Sequence, residues 1–351
     1  MPPSPRPRAA RSTLAEVAAA AGVSVATAAR ALGGYGSVRA DTADRVAEAA
    51  RRLRYSHNGV ARSMVTGRTH TLGAVVADIE NPFFGRAMRA FSDVAARAGS
   101  LVLLSNTDEN VDSERAAVEV LQRRRVDGML VAPASPVDVA HLHRVHRSGT
   151  PLVLLDRALP GLAADSVVVD NVLAGRMATD PLIAAGHRRI AMVTSAHLDG
   201  PADPRANPGL GRVIGYRQAL RVAGADLDDA LVSSGDFRVP SAESRTLALL
   251  SRPRPPTALV TTDSSMTLGA LRAVQSRGLR VPEDLSLVGI DDADWLPVLD
   301  PPVTVVAQPA AQLGALAAEL LLRRLADPAA PPVTRILPVT AIARQSVGPP
   351  P

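Results

Sequence analysis

From residue 72 onward, short apolar runs return at intervals: LGAVVAD (72–78), LVLLSN (101–106), GMLVAP (128–133), PLVLLD (151–156), SVVVD (166–170), RIAMVTS (189–195), TALVTT (257–262) and LSLVGID (285–291). None alternates apolar with polar residues, so each reads as a strand buried on both faces. Helical stretches separate them, and strand, crossover helix and strand in that order build a parallel sheet with right-handed connections. So many strands in a chain of 351 residues point to two α/β lobes, with a last strand expected over 335–344. Open α/β sheets bind ligands beyond the carboxyl ends of their strands, which places the expected binding site in a cleft shared by the lobes.

The first 70 residues have a different texture. They hold 11 arginines against four acids (Glu16, Asp41, Asp44 and Glu48), whereas the rest of the chain holds 28 against 30. The chain contains no lysine, so arginine abundance alone says little. Its concentration at one end predicts a small polyanion-binding module on a near-neutral body. Residues 1–11, rich in Pro and Arg, read as a disordered arm. Thr13 with Glu16 makes a capping box that starts a helix at Leu14, Gly22 supplies a left-handed end, and Ser24 caps a second helix reaching about Leu32. A third begins at Asp41 or Thr42 and carries Val46, Ala49 or Ala50, and Leu53 at helical spacing. The small residues Ala18, Gly22 and Ala28 fall where a tight helix-turn-helix needs them. The spacing fits an Ala-rich bundle equally well; the local charge favours DNA.

Several function classes are excluded or disfavoured. There is no cysteine, hence no disulfide or thiolate chemistry. No apolar run reaches the roughly 18 residues of a membrane span, and Glu16 and Arg30 interrupt any secretory core, so a cytoplasmic protein is expected. GLGRVIG (209–215) has the wrong glycine spacing for a dinucleotide loop, and a Walker-type phosphate loop needs the lysine the chain lacks. In HLHRVH (141–146) the offsets scatter three imidazoles around a helix, so no metal is expected. No catalytic residue and no cofactor are expected either.

LAEVAAAAGVSVATAARAL (14–32), a third helix ending at Tyr55, NGVARSM (58–64) and TGRT (66–69) resemble the DNA-binding headpiece of the lactose/galactose repressor (LacI-type) family. The resemblance continues through NPFF (81–84), VDGMLVAP (126–133), LLDR (154–157), VVVDN (167–171), GHRRIA (186–191), RVIGYRQAL (212–220), VPEDLSLVGIDD (281–292) and TVVAQP (304–309). It implies an all-α helix-turn-helix headpiece over 12–57, a hinge over 58–69, and a two-lobe α/β domain of periplasmic-binding-protein type over 70–347, with two doubly wound parallel sheets. Lobe 1 would take about 70–169 and 310–334, and lobe 2 about 170–309 and 335–347.

By the same resemblance the second helix lies in the major groove, with Val25 and Ala26 at base edges and Arg30 placed for a bidentate contact to guanine. Thr13, Ser24, Thr27 and Thr42 would touch phosphates, although helix capping explains hydroxyls there as well. Tyr55, Asn58, Ala61 and Met64 complete the implied DNA set. Met64 stands where the family usually wedges a leucine into the minor groove, and His57 replaces the usual proline; the other reading of 58–66 is a disordered tether.

In the cleft, the resemblance implies an effector site of Phe83, Phe84, Asp156, Arg212, Phe237, Thr262, Asp291 and Gln308. Carboxylates, an arginine and aromatics converging there suit a sugar, polyol or similar small polar metabolite. Thr262 replaces an asparagine common in sugar-responsive members. Asp170 and Asp263 read as helix caps outside the site, and Arg205, in the Pro/Gly-rich stretch 199–211, as a possible added contact. The implied partners are double-stranded operator DNA, the small-molecule effector and a second copy of the chain, because one headpiece buries too little for specific binding. The dimer face is expected on lobe 1, including the 82–98 helix, with no tetramerisation element. An exported or cytosolic solute-binding protein shares the two lobes but has no helix-turn-helix.

Overall fold

The computed structural model describes residues 12–33, 36–55, 68–195, 198, 203–225, 227–236 and 238–351. The expected arm (1–11), most of the hinge segment with Asn58, Ala61 and Met64, and Phe237 lie outside the described residues. The chain divides into two units, Met1–Thr69 and His70–Pro351.

In the first unit, α1 (Leu14–Ala21), α2 (Val25–Gly33) and α3 (Ala40–Arg52) enclose a core of Val17, Ala18, Ala21, Ala28, Val46, Ala49 and Ala50. The Thr13–Glu16 capping box opens α1, and Gly22 at φ 65° returns its N–H to the carbonyls of Ala18 and Ala19. Only a left-handed residue closes the helix this way, which is why glycine stands there. The third helix departs from expectation. It starts at Ala40, before Asp41 and Thr42, and its N-cap residue Arg39 makes no side-chain cap bond.

The second unit contains two six-stranded sheets. The first orders as β2 (Leu101–Asn106), β1 (Thr71–Val76), β3 (Gly128–Val131), β4 (Leu152–Leu155), β5 (Asp165–Val169) and β11 (Thr334–Leu337). The second orders as β7 (Val232–Ser234), β6 (Ile190–Thr194), β8 (Ala258–Thr261), β9 (Ser286–Ile290), β10 (Thr304–Ala307) and β12 (Thr340–Ile342). Every pairing is parallel except β10 with β12. The helices are α4 (Pro82–Arg97), α5 (Val111–Arg123), α6 (Ala140–Arg147), α7 (Asn171–Ala184), α8 (Pro208–Val222), α9 (Val239–Leu250), α10 (Ser264–Ser276) and α11 (Ala310–Ala326).

All eight expected strands are present, with two corrections. The single strand expected over 335–344 is two: β11 pairs with β5 in lobe 1, and only β12 belongs to lobe 2. Pro338, unable to donate to a ladder, separates them. The chain thus passes between lobes at 169–171, 307–310 and 337–340. The second correction is β2. Its run LVLLSN reads as buried on both faces, yet it is the outer strand of its sheet, with Leu101, Leu103 and Leu104 exposed.

In lobe 2, α7 and α8 pack almost backbone to backbone. A Cβ on Gly175 would lie 2.0 Å from the Arg212 carbonyl oxygen, and one on Gly215 would lie 1.9 Å from that of Val172. Neither contact can relax without separating the helices, so Gly175→Ala should lower unfolding free energy by about 1–3 kcal/mol through overpacking. A denaturation midpoint measured by circular dichroism checks this; an unchanged midpoint would show that the helices slide apart at no cost.

Candidate functional site

Helices α1 and α2 meet at 100° across the turn Gly22-Val23-Ser24, the geometry of a helix-turn-helix. Ser24 Oγ accepts from the Thr27 backbone N–H at 3.1 Å and lies 2.9 Å from Thr27 Oγ1, which in turn accepts from Arg30 Nη2 at 3.4 Å. Val25, Ala26 and Arg30 are exposed together with Ser24. Val25 remains 49 % exposed, an apolar residue left in solvent at a helix start while smaller alanines fill the core. Thr13 spends its hydroxyl on the α1 cap, Thr42 donates to Asp41, and Tyr55 packs on the headpiece core.

The second site is a cleft between the lobes, enclosing about 740 Å³ of space that includes its open mouth. Phe83 and Phe84 line it, edge to face with centroids 5.0 Å apart, at the start of α4 where Asn81 caps the helix. Asp156, Arg212, Asp291 and Gln308 line it as expected. Thr262 does not. Its side chain is fully buried, 3.3 Å from the Thr194 hydroxyl, and what it offers is its carbonyl, which accepts from Arg212 Nη1 at 2.5 Å. The neighbouring Asp263 faces the cleft instead. It caps α10 through the Met266 N–H, as expected, and its second oxygen accepts from Ser195 at 3.3 Å. Asp170 is only a cap, and Arg205 turns back onto Asp203.

Sequence reading also missed Asp78, Glu109 and Arg157. Arg157 directly follows Asp156 in LLDR and donates through both arms to Glu109, at 2.7 Å each, and to the Pro133 carbonyl. The signal was present in the run of polar residues ending β2, NTDEN, which lands on the carboxyl edge of the sheet.

Asp156 and Asp291 hold matching places. Each follows the fourth strand of its sheet, each has positive φ (67° and 75°), and each sends its N–H to the next strand, to Val167 and Val306 respectively. Aspartate tolerates this conformation better than most residues. Arg212 is fixed by Asn171 Oδ1 at 2.9 Å as well as by the Thr262 carbonyl. Burial raises the carboxyls of Asp156, Asp263 and Asp291, against the pull of Arg157 and Arg212 on Asp156 and of Arg212 on the other two, and Asp291 reaches about 6. Several bonds join the lobes across the cleft: Arg86 to the Asp292 carbonyl and the Asp294 carboxylate, Ser264 to Asn81, and the Ala158 N–H to the Arg205 carbonyl.

A carboxyl raised by folding stabilises below its unfolded value of 3.8, and that contribution is lost as pH climbs through about 6. Asp291→Asn keeps an acceptor for Gln308 and suits the left-handed backbone, so it should stabilise the protein by about 1–3 kcal/mol at pH 7.5. The gain should fade towards pH 4. Melting curves across that range decide it, and a gain independent of pH would remove the charge from the explanation.

Comparison with known proteins finds relatives of both domains. Residues 13–58 match the family model described as bacterial regulatory proteins, lacI family, and 179–347 match a periplasmic binding protein-like domain. The chain is 34% identical to the HTH-type transcriptional repressor CytR of Escherichia coli (strain K12), over 89% of each sequence. It is 33% identical to the regulator GalS of Salmonella typhimurium over 95% of this chain and 96% of the relative. Among solved structures, the lac repressor dimer bound to operator and the anti-inducer ONPF superposes with a TM-score of 0.82 at 26% identity, covering 97% of this chain and all of that one. A CelR–cellobiose complex gives 0.71 at 31% identity, over 96% of this chain and all of that one. A helix-turn-helix headpiece followed by a two-lobed binding domain, at this identity and over nearly the full length of its relatives, makes the chain a member of the lacI family of bacterial transcriptional regulators.

Proposed function

We propose that the protein is a cytoplasmic repressor that binds a palindromic operator as a dimer, under the control of a small polar ligand in the interlobe cleft. The observation that carries this reading is one chain holding both an outward Val25–Ala26–Arg30 face on a helix crossing its neighbour at 100° and a buried cleft of mixed charge. The relatives support it: CytR is a repressor, and the superposed lac repressor is a dimer on operator. Arg30 supplies the planar donor pair that reads guanine, and Ser24 and Thr27 lie beside it to meet phosphates. The remaining DNA roles, for Asn58, Ala61 and Met64, rest on the resemblance alone.

The second copy is proposed to cover the outer edge of lobe 1. There β2 exposes Leu101 (75 %), Leu103 (42 %) and Leu104 (47 %) along an unpaired strand edge, which a protein in solution does best to cover. The outward face of α4 is more polar, with Arg89 paired to Asp93, so the strand edge is the better centre of the contact.

Selection from random duplexes at moderate salt should return an inverted repeat, and no sequence preference would overturn the proposal. Arg30→Ala should cost about 1–3 kcal/mol and relax one position in each half-site. An unchanged consensus would reassign the contact. Leu101→Glu with Leu103→Glu should yield monomers in analytical ultracentrifugation and weaken operator binding; a persistent dimer would move the interface elsewhere.

A further inference from the structure

The charges in the cleft do not balance. Among the described residues, five carboxylates line it, from Asp78, Glu109, Asp156, Asp263 and Asp291, against the two guanidinium groups of Arg157 and Arg212. Arg157 is held by Glu109 through both arms and reaches Asp156 with its Nε at 3.8 Å, so Arg212 is the cation that faces Asp263 and Asp291. Those three aspartates are each less than 9 % exposed. Arg212 is itself committed in part, its Nε to Asn171 and its Nη1 to the Thr262 carbonyl.

A second observation concerns Gln308 and is independent of the charge. Its amide nitrogen donates to Asp291 Oδ1 at 2.7 Å, which fixes the orientation of the amide and leaves Oε1 as an acceptor. That oxygen is buried in the cleft wall and has no hydrogen-bond partner among the described residues. A buried acceptor without a donor is costly, as is an excess of buried carboxylates, and both are relieved by a ligand that brings N–H donors and positive charge. A neutral sugar donates through its hydroxyls but leaves the charge uncompensated.

We infer that the cleft is built for a cationic, hydroxyl-bearing ligand, a small protonated amine of the amino sugar or amino polyol class. The ammonium sits among Asp156, Asp263 and Asp291, the hydroxyls meet Gln308 and Arg212, and Phe83 and Phe84 cover the C–H face. Burial raises all three aspartates, the direction expected where carboxylates crowd together with too little positive charge beside them. The inference rests on the cleft being the effector site proposed above and names the chemical class that it takes.

The test uses the full chain in phosphate buffer and matched probes differing in one amino group: the tris(hydroxymethyl)aminomethane cation against pentaerythritol, and glucosamine against glucose. Calorimetry and thermal shift should show the amine of at least one pair binding about tenfold or more tighter than its neutral partner. Asp263→Asn should abolish that preference, and Asp156→Asn serves if the first variant folds poorly. A neutral probe binding as well as its amine in both pairs, or no binding by any probe, overturns the inference. Operator binding separates this from the broader reading. A neutral ligand that alters operator affinity leaves the effector role standing and removes the amine. An amine that binds without altering operator affinity keeps the inference and removes the effector role.

Discussion

The Arg212 guanidinium is the cation on which the cleft depends, and the fold fixes it before any ligand arrives. Gly175 lets α7 and α8 approach until the Arg212 carbonyl lies where a Cβ would be, so the backbone bearing this side chain cannot drift. Asn171 and the Thr262 carbonyl then hold two of its nitrogens. Asp263 and Asp291 are thereby held near this positive charge, while Asp156 also lies 3.8 Å from the Arg157 guanidinium. Arranged this way, the site meets its ligand with little reorganisation, which is where affinity is usually lost.

The two lobes repeat one solution. In each, an apolar strand ends in an aspartate with positive φ whose N–H reaches the adjacent strand. Leaving the strand in a left-handed turn aims the carboxylate across the edge of the sheet instead of into a face. The conformation is sparsely populated for residues other than glycine, and such strain tends to collect where a side chain must be aimed. Asp156 and Asp291 therefore approach the ligand space from opposite lobes at matching strand positions, which lets one small molecule touch both sheets.

Most of the architecture was legible because burial on both faces leaves an unbroken apolar run, and eight such runs were enough to give two parallel sheets. The run at β2 misled because composition alone does not separate an apolar outer strand from an interior one. The 335–344 segment was read as one strand because Pro338 is a single residue in an otherwise strand-like stretch. In the cleft, the residues found were those at strand ends within recognisable stretches. Thr262 and Asp263 were confused because adjacent residues at a strand end point in opposite directions, and a capping aspartate has a second oxygen whose direction no spacing rule reports. Glu109 and Arg157 were missed because they meet only through the fold, 48 residues apart in sequence.

Ligand control needs two lobe arrangements and a ligand that prefers one. This structure has its lobes bridged, and the bridge adjoins the site. Asp291 faces the cleft, while the carbonyl of Asp292 accepts from Arg86 of the opposite lobe and the Asp292 carboxylate holds Arg344 through both oxygens at 2.8 Å. A displacement of Asp291 therefore reaches the interlobe bond through one peptide unit, while Arg344 anchors the other side of that unit to lobe 2. The three chain passages between the lobes carry no helix or strand of their own. An apolar core runs through both lobes, and the polar bridges between them adjoin the cleft, so a ligand that changes the charge there acts beside those bridges.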